Sequence, residues 1–253
     1  MAELMLHCGA ESATWDQVCN APMPDATKSY SPVPYKDMVE MTMERNFKEF
    51  LIAPEDQEWS FGLYDRGVKG SRFFAVCRLR LEHEDWGLAQ GLRGSTDRSM
   101  SNGFAAGGSV FVCDNLCFSG SSITISRKHT GDAYNDFRKM LFTGIADSVH
   151  GYESVSADLT SLKSVGCGDD RGYELLGLAL GHNVLAKQEV TVALEEWKKP
   201  SHEEFSERNM YSLYNSFTEA AKRTRAPNAQ FNKYSGIHGF FGEYTDAEFK
   251  SAA

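Results

Sequence analysis

Three short polar groups stand where strand-like runs of this 253-residue chain end. The first is Arg93, Ser95, Asp97, Arg98 and Ser99. The second is Asp114, Asn115 and Ser119. The third is Arg127, Lys128, His129 and Thr130. Together they offer fixed cations, two carboxylates and one titratable imidazole. Arginines in such a set bind phosphate through charge-assisted hydrogen bonds. Asp97 and Asp114 could hold Mg²⁺ for phosphodiester chemistry, with His129 as the base. A structural reading competes with both. Asp and Asn after a strand make local turns, and Arg–Asp pairs at sheet edges satisfy each other. The ligand-binding reading requires the three turns to converge on one rigid sheet, where loops build sites.

Other motifs carry less. Cys113 and Cys117 are three residues apart, but no second Cys or His pair accompanies them, so a zinc site is not expected. The run from Gly103 to Gly108 lacks the Gly-Lys-Ser/Thr ending of a phosphate loop and is expected as a tight connection between strands. There is no Gly-x-Ser-x-Gly elbow and no His-Glu-x-x-His zinc helix. Trp59, Phe61, Phe73, Phe74, Trp86, Phe111 and Phe118 interleave with basic residues. Exposed, they could stack bases; buried, they are core.

The elements that must position these groups follow from periodicity. Residues 1–33, rich in Pro, Ser and Asp, are expected as an irregular arm. Pro32, Val33 and Pro34 lead into a helix over 35–51, with Met38, Val39, Met43, Phe47 and Phe50 at three- and four-residue spacing. Strands are expected at 59–64, 72–81, 86–93, 109–113 and 121–127, the first two joined as a hairpin. Arg78 and Arg80 alternate with apolar neighbours, which predicts one wet face. From Asp132, an N-cap, the period becomes helical through Val149. Residues 151–171 are expected as a loop, followed by helices at 173–180, 187–197 and 210–222. The order predicts an α+β fold: a mixed or antiparallel sheet preceded by one helix and followed by a helical C-terminal half. Residues 34–225 are expected as one domain, with 226–253 as a tail.

Composition sets the class. Hydrophobic residues are 42% and charged residues 24%, ordinary for a globular fold. No run approaches the ~20 apolar residues that span a bilayer. The N-terminus lacks the basic start of a secretory signal. Six scattered cysteines read as reduced thiols, so a cytoplasmic protein is expected. The net charge is −9. Residues 1–58 carry −7 and residues 131–197 carry −6, whereas residues 59–130 carry +3 and residues 198–233 carry +3. An acidic protein repels nucleic acid at long range, but a local basic groove can overcome that at contact.

The run Val110-Phe111-Val112-Cys113-Asp114-Asn115-Leu116-Cys117-Phe118-Ser119-Gly120, followed by Arg127-Lys128-His129-Thr130, resembles the central motif of the "phage/plasmid-like" proteins, a family of unknown function. Gly91 to Ser99, the Pro32-Val33-Pro34 lead and Met210 to Glu219 resemble flanking motifs in the right order, so the resemblance covers about residues 28 to 225. The chain departs from the pattern at four places. Gly94 and Thr96 stand where Asn and His are usual, Tyr35 where His is usual, and Tyr211 where Trp is usual. The resemblance implies a protein of phages, prophages or plasmids, at work in the bacterial cytoplasm. It implies no catalytic residues.

Three functions compete. The first is an accessory protein of mobile-element DNA metabolism that binds nucleic acid through Arg93, Ser95, Asp97, Arg98, Asp114, Asn115, Arg127, Lys128 and His129. The second is an inhibitor of a host defence protein, its acidic segments imitating DNA. The third is a metal-dependent phosphoesterase using Asp97, Asp114 and His129, the one reading that calls for a cofactor, Mg²⁺. A homo-oligomer is compatible with each. The departures at 94 and 96 favour the non-enzymatic readings.

Overall fold

The computed structural model describes residues 10–65, 70–81, 83–110, 116–117, 123–223 and 227–252. The arm expected to be irregular carries strand β1 (Glu11–Ala13) and a short helix α1 (Trp15–Cys19). Thr14 caps α1: its hydroxyl accepts the Gln17 N–H at 3.3 Å, and the Gln17 side chain accepts the Thr14 N–H at 2.8 Å. This reciprocal pair satisfies two donors that the helix start leaves open. Pro34 then introduces α2 (Tyr35–Phe50). Tyr35, Met38, Val39, Thr42 and Asn46 form its buried face. Leu51 ends it in the left-handed conformation, φ 58°, its N–H bonded to the Phe47 carbonyl.

The sheet follows: β2 (Glu58–Tyr64), β3 (Arg72–Leu79), β4 (Trp86–Ser95), β5 (Asn102–Val110), β6 (Leu116–Cys117) and β7 (Ile123–Arg127). The strands lie in the order β1-β2-β3-β4-β5-β6, and β7 also pairs with β5. β1–β2, β2–β3, β3–β4, β5–β6 and β5–β7 are antiparallel. The fold is α+β. The two-residue alternation of β3 sets Phe73, Ala75, Cys77 and Leu79 into the core. Tyr35 stacks on Phe73 with ring centroids 4.8 Å apart, so α2 covers this face. Arg72, Phe74, Val76 and Arg78 point the other way. That face is not uniformly wet, as the sequence suggested. Arg72 and Phe74 are half-buried, whereas Arg78 is buried.

Two boundaries differ from expectation. β5 occupies 102–110, so the Gly103–Gly108 run is strand and not connection, and residues 111–113 of the expected strand lie outside the described residues. Helix α3 (Ala133–Ser164) continues through most of the segment expected as a loop. Tyr152, Val155, Leu159 and Leu162 are buried at helical spacing, and the Ser and Asp residues between them hide the period. After it come α4 (Asp169–Gly181), α5 (Lys187–Lys198), α6 (Met210–Ala221) and α7 (Pro227–Ala252). The expected tail is therefore a 26-residue helix. No described helix is long and apolar enough to cross a membrane.

The chain divides into two compact units. The first is Met1–Gly107 with Ser122–Tyr152, and the second is Gly108–Ser121 with Glu153–Ala253. The first centres on Met38, Phe73, Trp86, Leu88, Phe137 and Leu141. The second centres on Leu159, Trp197, Leu213, Tyr214, Phe217 and Phe241. In the second, Glu189 of α5 accepts the Ala186 N–H at 2.7 Å and pairs with Lys233 of α7 at 2.8 Å.

The contact between α4 and α5 gives a test. A Cβ on Gly172 would lie 2.7 Å from Nε1 of the buried Trp197. Gly172→Ala is expected to destabilise the protein by about 1–3 kcal/mol through overpacking. A Cβ on Gly177, in the same helix, meets nothing within 4 Å. Gly177→Ala is expected to be neutral or to stabilise by up to ~1 kcal/mol through helix propensity. Urea unfolding of both variants measures the difference.

Candidate functional site

Ser95 ends β4 and closes the turn that follows. Its hydroxyl donates to the Met100 carbonyl at 2.9 Å and accepts the Met100 N–H at 3.0 Å. Inside that loop Asp97 accepts the Ser99 N–H at 2.9 Å, and also the Ser99 hydroxyl. Arg72 Nε lies 3.6 Å from the Asp97 carboxylate and donates to Ser99 Oγ at 2.8 Å. Burial works against the Asp97 charge. Hydrogen bonds from Ser99 and Ser95, with the Arg72 charge, outweigh it and hold the carboxyl below its ordinary value. Arg98 adopts φ 62°, rare for a residue with a Cβ. Its guanidinium lies 4.3 Å over the ring of Tyr30, which is 2% exposed.

His129 meets the same ring, centroids 5.6 Å apart. Its Nε2 is 2.8 Å from the Met100 carbonyl, so that nitrogen donates. Nδ1 is then the acceptor for the Asn102 amide at 3.4 Å. Its own carbonyl accepts the Ser31 N–H at 2.9 Å. The ring is buried, and that burial pushes its pKa down. His129 is thus a neutral strut with both nitrogens engaged, not a base presented to solvent.

Arg127 Nε and Nη2 both donate to Asp136 Oδ2, at 3.1 and 2.8 Å. Its remaining donors reach the Lys128 and Thr130 carbonyls at 3.0 and 2.8 Å. It ties the end of β7 to the first turn of α3. Lys128 is exposed. Asp114 and Asn115 lie outside the described residues. The structure therefore brings Asp97, Arg98 and His129 to the surroundings of Tyr30, and Ser95, Asp97 and His129 bond to Met100, Ser99 and Asn102. Of the set Asp97, Asp114 and His129, the structure describes Asp97 and the buried His129. No three His, Cys, Asp or Glu side chains gather to hold a metal among the described residues.

Positions 35, 94 and 96, where the chain departs from the pattern it resembles, meet in space. A Cβ on Gly94 would lie 3.3 Å from the Tyr35 ring and 3.1 Å from Asn102 Oδ1. The Tyr35 hydroxyl donates to the Ser71 carbonyl at 3.0 Å, and Thr96 bonds the same carbonyl through its N–H at 2.8 Å. The bulk of Tyr35 fills space that a larger residue at 94 would need.

A second arrangement lies on the sheet face away from α2. Tyr64 of β2 stands directly opposite Arg72 of β3, the guanidinium 5.5 Å from the ring centre. Phe74, two residues on and on the same face, stands directly opposite Arg93 of β4. The Arg93 side chain crosses Gly103 of β5 so closely that a Cβ there would lie 2.8 Å from its Nε. Burial lowers the Arg93 pKa. Beside it Gly91 and Ala105 are half-exposed and carry little or no side chain. Two Arg–aromatic cross-strand pairs thus sit diagonally on one face. Sequence reading found Arg93 and Phe74 but not Arg72 or Tyr64, because the pairing register that aligns them is invisible in one strand.

In the second unit, His238 Nε2 lies 2.9 Å from the Asp158 carboxylate, and its Nδ1 lies 3.4 Å from the Tyr214 hydroxyl. Tyr214 and His238 are buried. The Asp158–His238–Tyr214 relay ties α3, α6 and α7 together.

The state of His129 is testable. Its folded pKa is depressed below the ordinary ~6.5. The stability it contributes is therefore complete above that value and is lost as pH falls through the folded pKa, where the ring must charge. Denaturant midpoints measured from about pH 7.5 down to about pH 5 are expected to fall more steeply for the wild type than for His129→Gln. Equal slopes would remove the assignment. No family model matches this chain, and no curated protein or solved structure is significantly similar to it, so the resemblance to phage/plasmid-like proteins rests on the quoted motifs.

Proposed function

We propose that this chain binds single-stranded nucleic acid on the Arg–aromatic face of its sheet, as a non-enzymatic accessory protein. One observation carries the reading: the cross-strand pairs Tyr64–Arg72 and Phe74–Arg93 lie side by side on one face. Guanidinium groups meet phosphates, and aromatic rings stack bases without regard to sequence. Beside them, Gly91 and Ala105 leave the backbone low enough for a flat base to approach. Exposed Arg98 and Lys128 extend the positive potential at the adjoining sheet end. The phage/plasmid resemblance supplies the setting, DNA metabolism of mobile elements. The closed hydrogen-bond network around His129, and the loss of Asn- and His-type residues at 94 and 96, support the absence of catalysis at that end of the sheet.

Binding of single- and double-stranded oligonucleotides measured over a salt series tests this. Affinity is expected to favour the single strand and to fall steeply with salt. Phe74→Ala is expected to cost about 1–3 kcal/mol of binding through lost stacking. Arg93→Gln is expected to reduce the salt slope by about 1. His129→Gln is expected to leave binding unchanged at neutral pH. Salt-insensitive or undetectable binding at low ionic strength would end the proposal, and a duplex preference would move the site away from the aromatic pairs.

A further inference from the structure

Between α2 and the sheet lies a polar cluster that the function above does not use. Asn46, on the inner face of α2, is fully buried, and so is Gln90 of β4. The Asn46 amide nitrogen donates to Gln90 Oε1 at 2.8 Å and to Gln57 Oε1 at 3.2 Å, and lies 3.8 Å from the Cys77 sulfur. Gln57 in turn donates to the Met43 and Ile52 carbonyls at 3.0 and 3.2 Å. Those two bonds fix Gln57 Oε1 as an acceptor, so the Asn46 nitrogen must face it. The amide orientations are thereby set, and flipping Asn46 would bring two oxygens together.

This leaves two buried atoms without a protein partner: the acceptor Asn46 Oδ1 and the donor Gln90 Nε2. They belong to the two side chains that the 2.8 Å bond joins. The same cross-strand row, Trp59–Cys77–Gln90, carries a further unmatched donor in the Trp59 indole N–H. An unpaired buried polar atom costs about 1–3 kcal/mol, and an orphan acceptor and an orphan donor on two joined side chains call for a group that both donates and accepts.

We propose that this cluster is a binding site for one ordered water. The water accepts from Gln90 Nε2 and donates to Asn46 Oδ1. Cys77 can serve as its third neighbour, since burial raises its pKa and keeps it a thiol. A water held by about three polar partners is the usual form of a buried hydration site. The ligand is small and neutral because every lining group is neutral and the flanking strand residues are core.

A crystal structure of the full chain at atomic resolution is the first test. Density for one water within hydrogen-bond distance of both Asn46 Oδ1 and Gln90 Nε2 is the expected result. A direct bond between those two atoms, or an empty space between them, overturns the proposal. Water-¹⁷O relaxation dispersion of the wild type and of Gln90→Met in solution is the second. Met keeps the volume and removes both amide atoms. The expected result is loss of the contribution of one long-lived internal water in the variant, with the circular dichroism spectrum unchanged. Identical dispersion in the two proteins would count against the site even where the crystals are ambiguous, and Asn46→Leu, which removes the other proposed partner at similar volume, serves as a second variant should Gln90→Met fail to fold.

Discussion

The two-residue alternation of β3 governs what this molecule can present to a partner. Phe73, Ala75, Cys77 and Leu79 turn toward α2, so Arg72 and Phe74 must turn away from it. A slip of one residue would send arginine into the core and phenylalanine out of it. The hydrophobic demand of one face therefore fixes the register of the other. The Arg–aromatic pairs are aligned by the same interaction that makes the core, and no separate device is needed to hold them. Their neighbours are small for a related reason: Gly103 leaves room for the Arg93 side chain to lie flat across β5.

The opposite lesson comes from the turns at the sheet end. Of the residues that look like a phosphate site in the sequence, Arg127, Asp97 and His129 are committed to internal partners. Arg127 spends its donors on Asp136 and two carbonyls, Asp97 holds Ser99 beside Arg72, and His129 supports the Met100 carbonyl. Buried polar groups must find partners, and here the partners are internal. The result is a rigid joint where the loop 95–101, the end of β7 and the segment around Tyr30 meet.

How much of this was legible follows from where the signals lie. The helix at 35–50, the hairpin of β2 and β3, strand β4 and helix α6 show clear periods, and the structure has them. The early start of β5 is hidden because its small residues carry little alternation; Phe104 and Ala106, both buried, keep its period. The second half of α3 was missed because serine and aspartate outnumber its inward residues. Helix α7 was missed because Gly236, Gly239 and Gly242 interrupt it, although Tyr234, Ile237 and Phe241 are buried at helical spacing. At the candidate site, residue types were legible but partners were not. Tyr30, Arg72, Asn102 and Asp136 come from elements far apart in the chain, and nothing in a single strand announces which neighbour it will face.

The bond from the Ser31 N–H to the His129 carbonyl, and the Tyr30 ring lying between Arg98 and His129, also impose an order in time. The segment around Tyr30 is synthesised early, yet its seat does not exist until β5 and β7 have paired. Closing so long a loop is entropically expensive and comes late in folding.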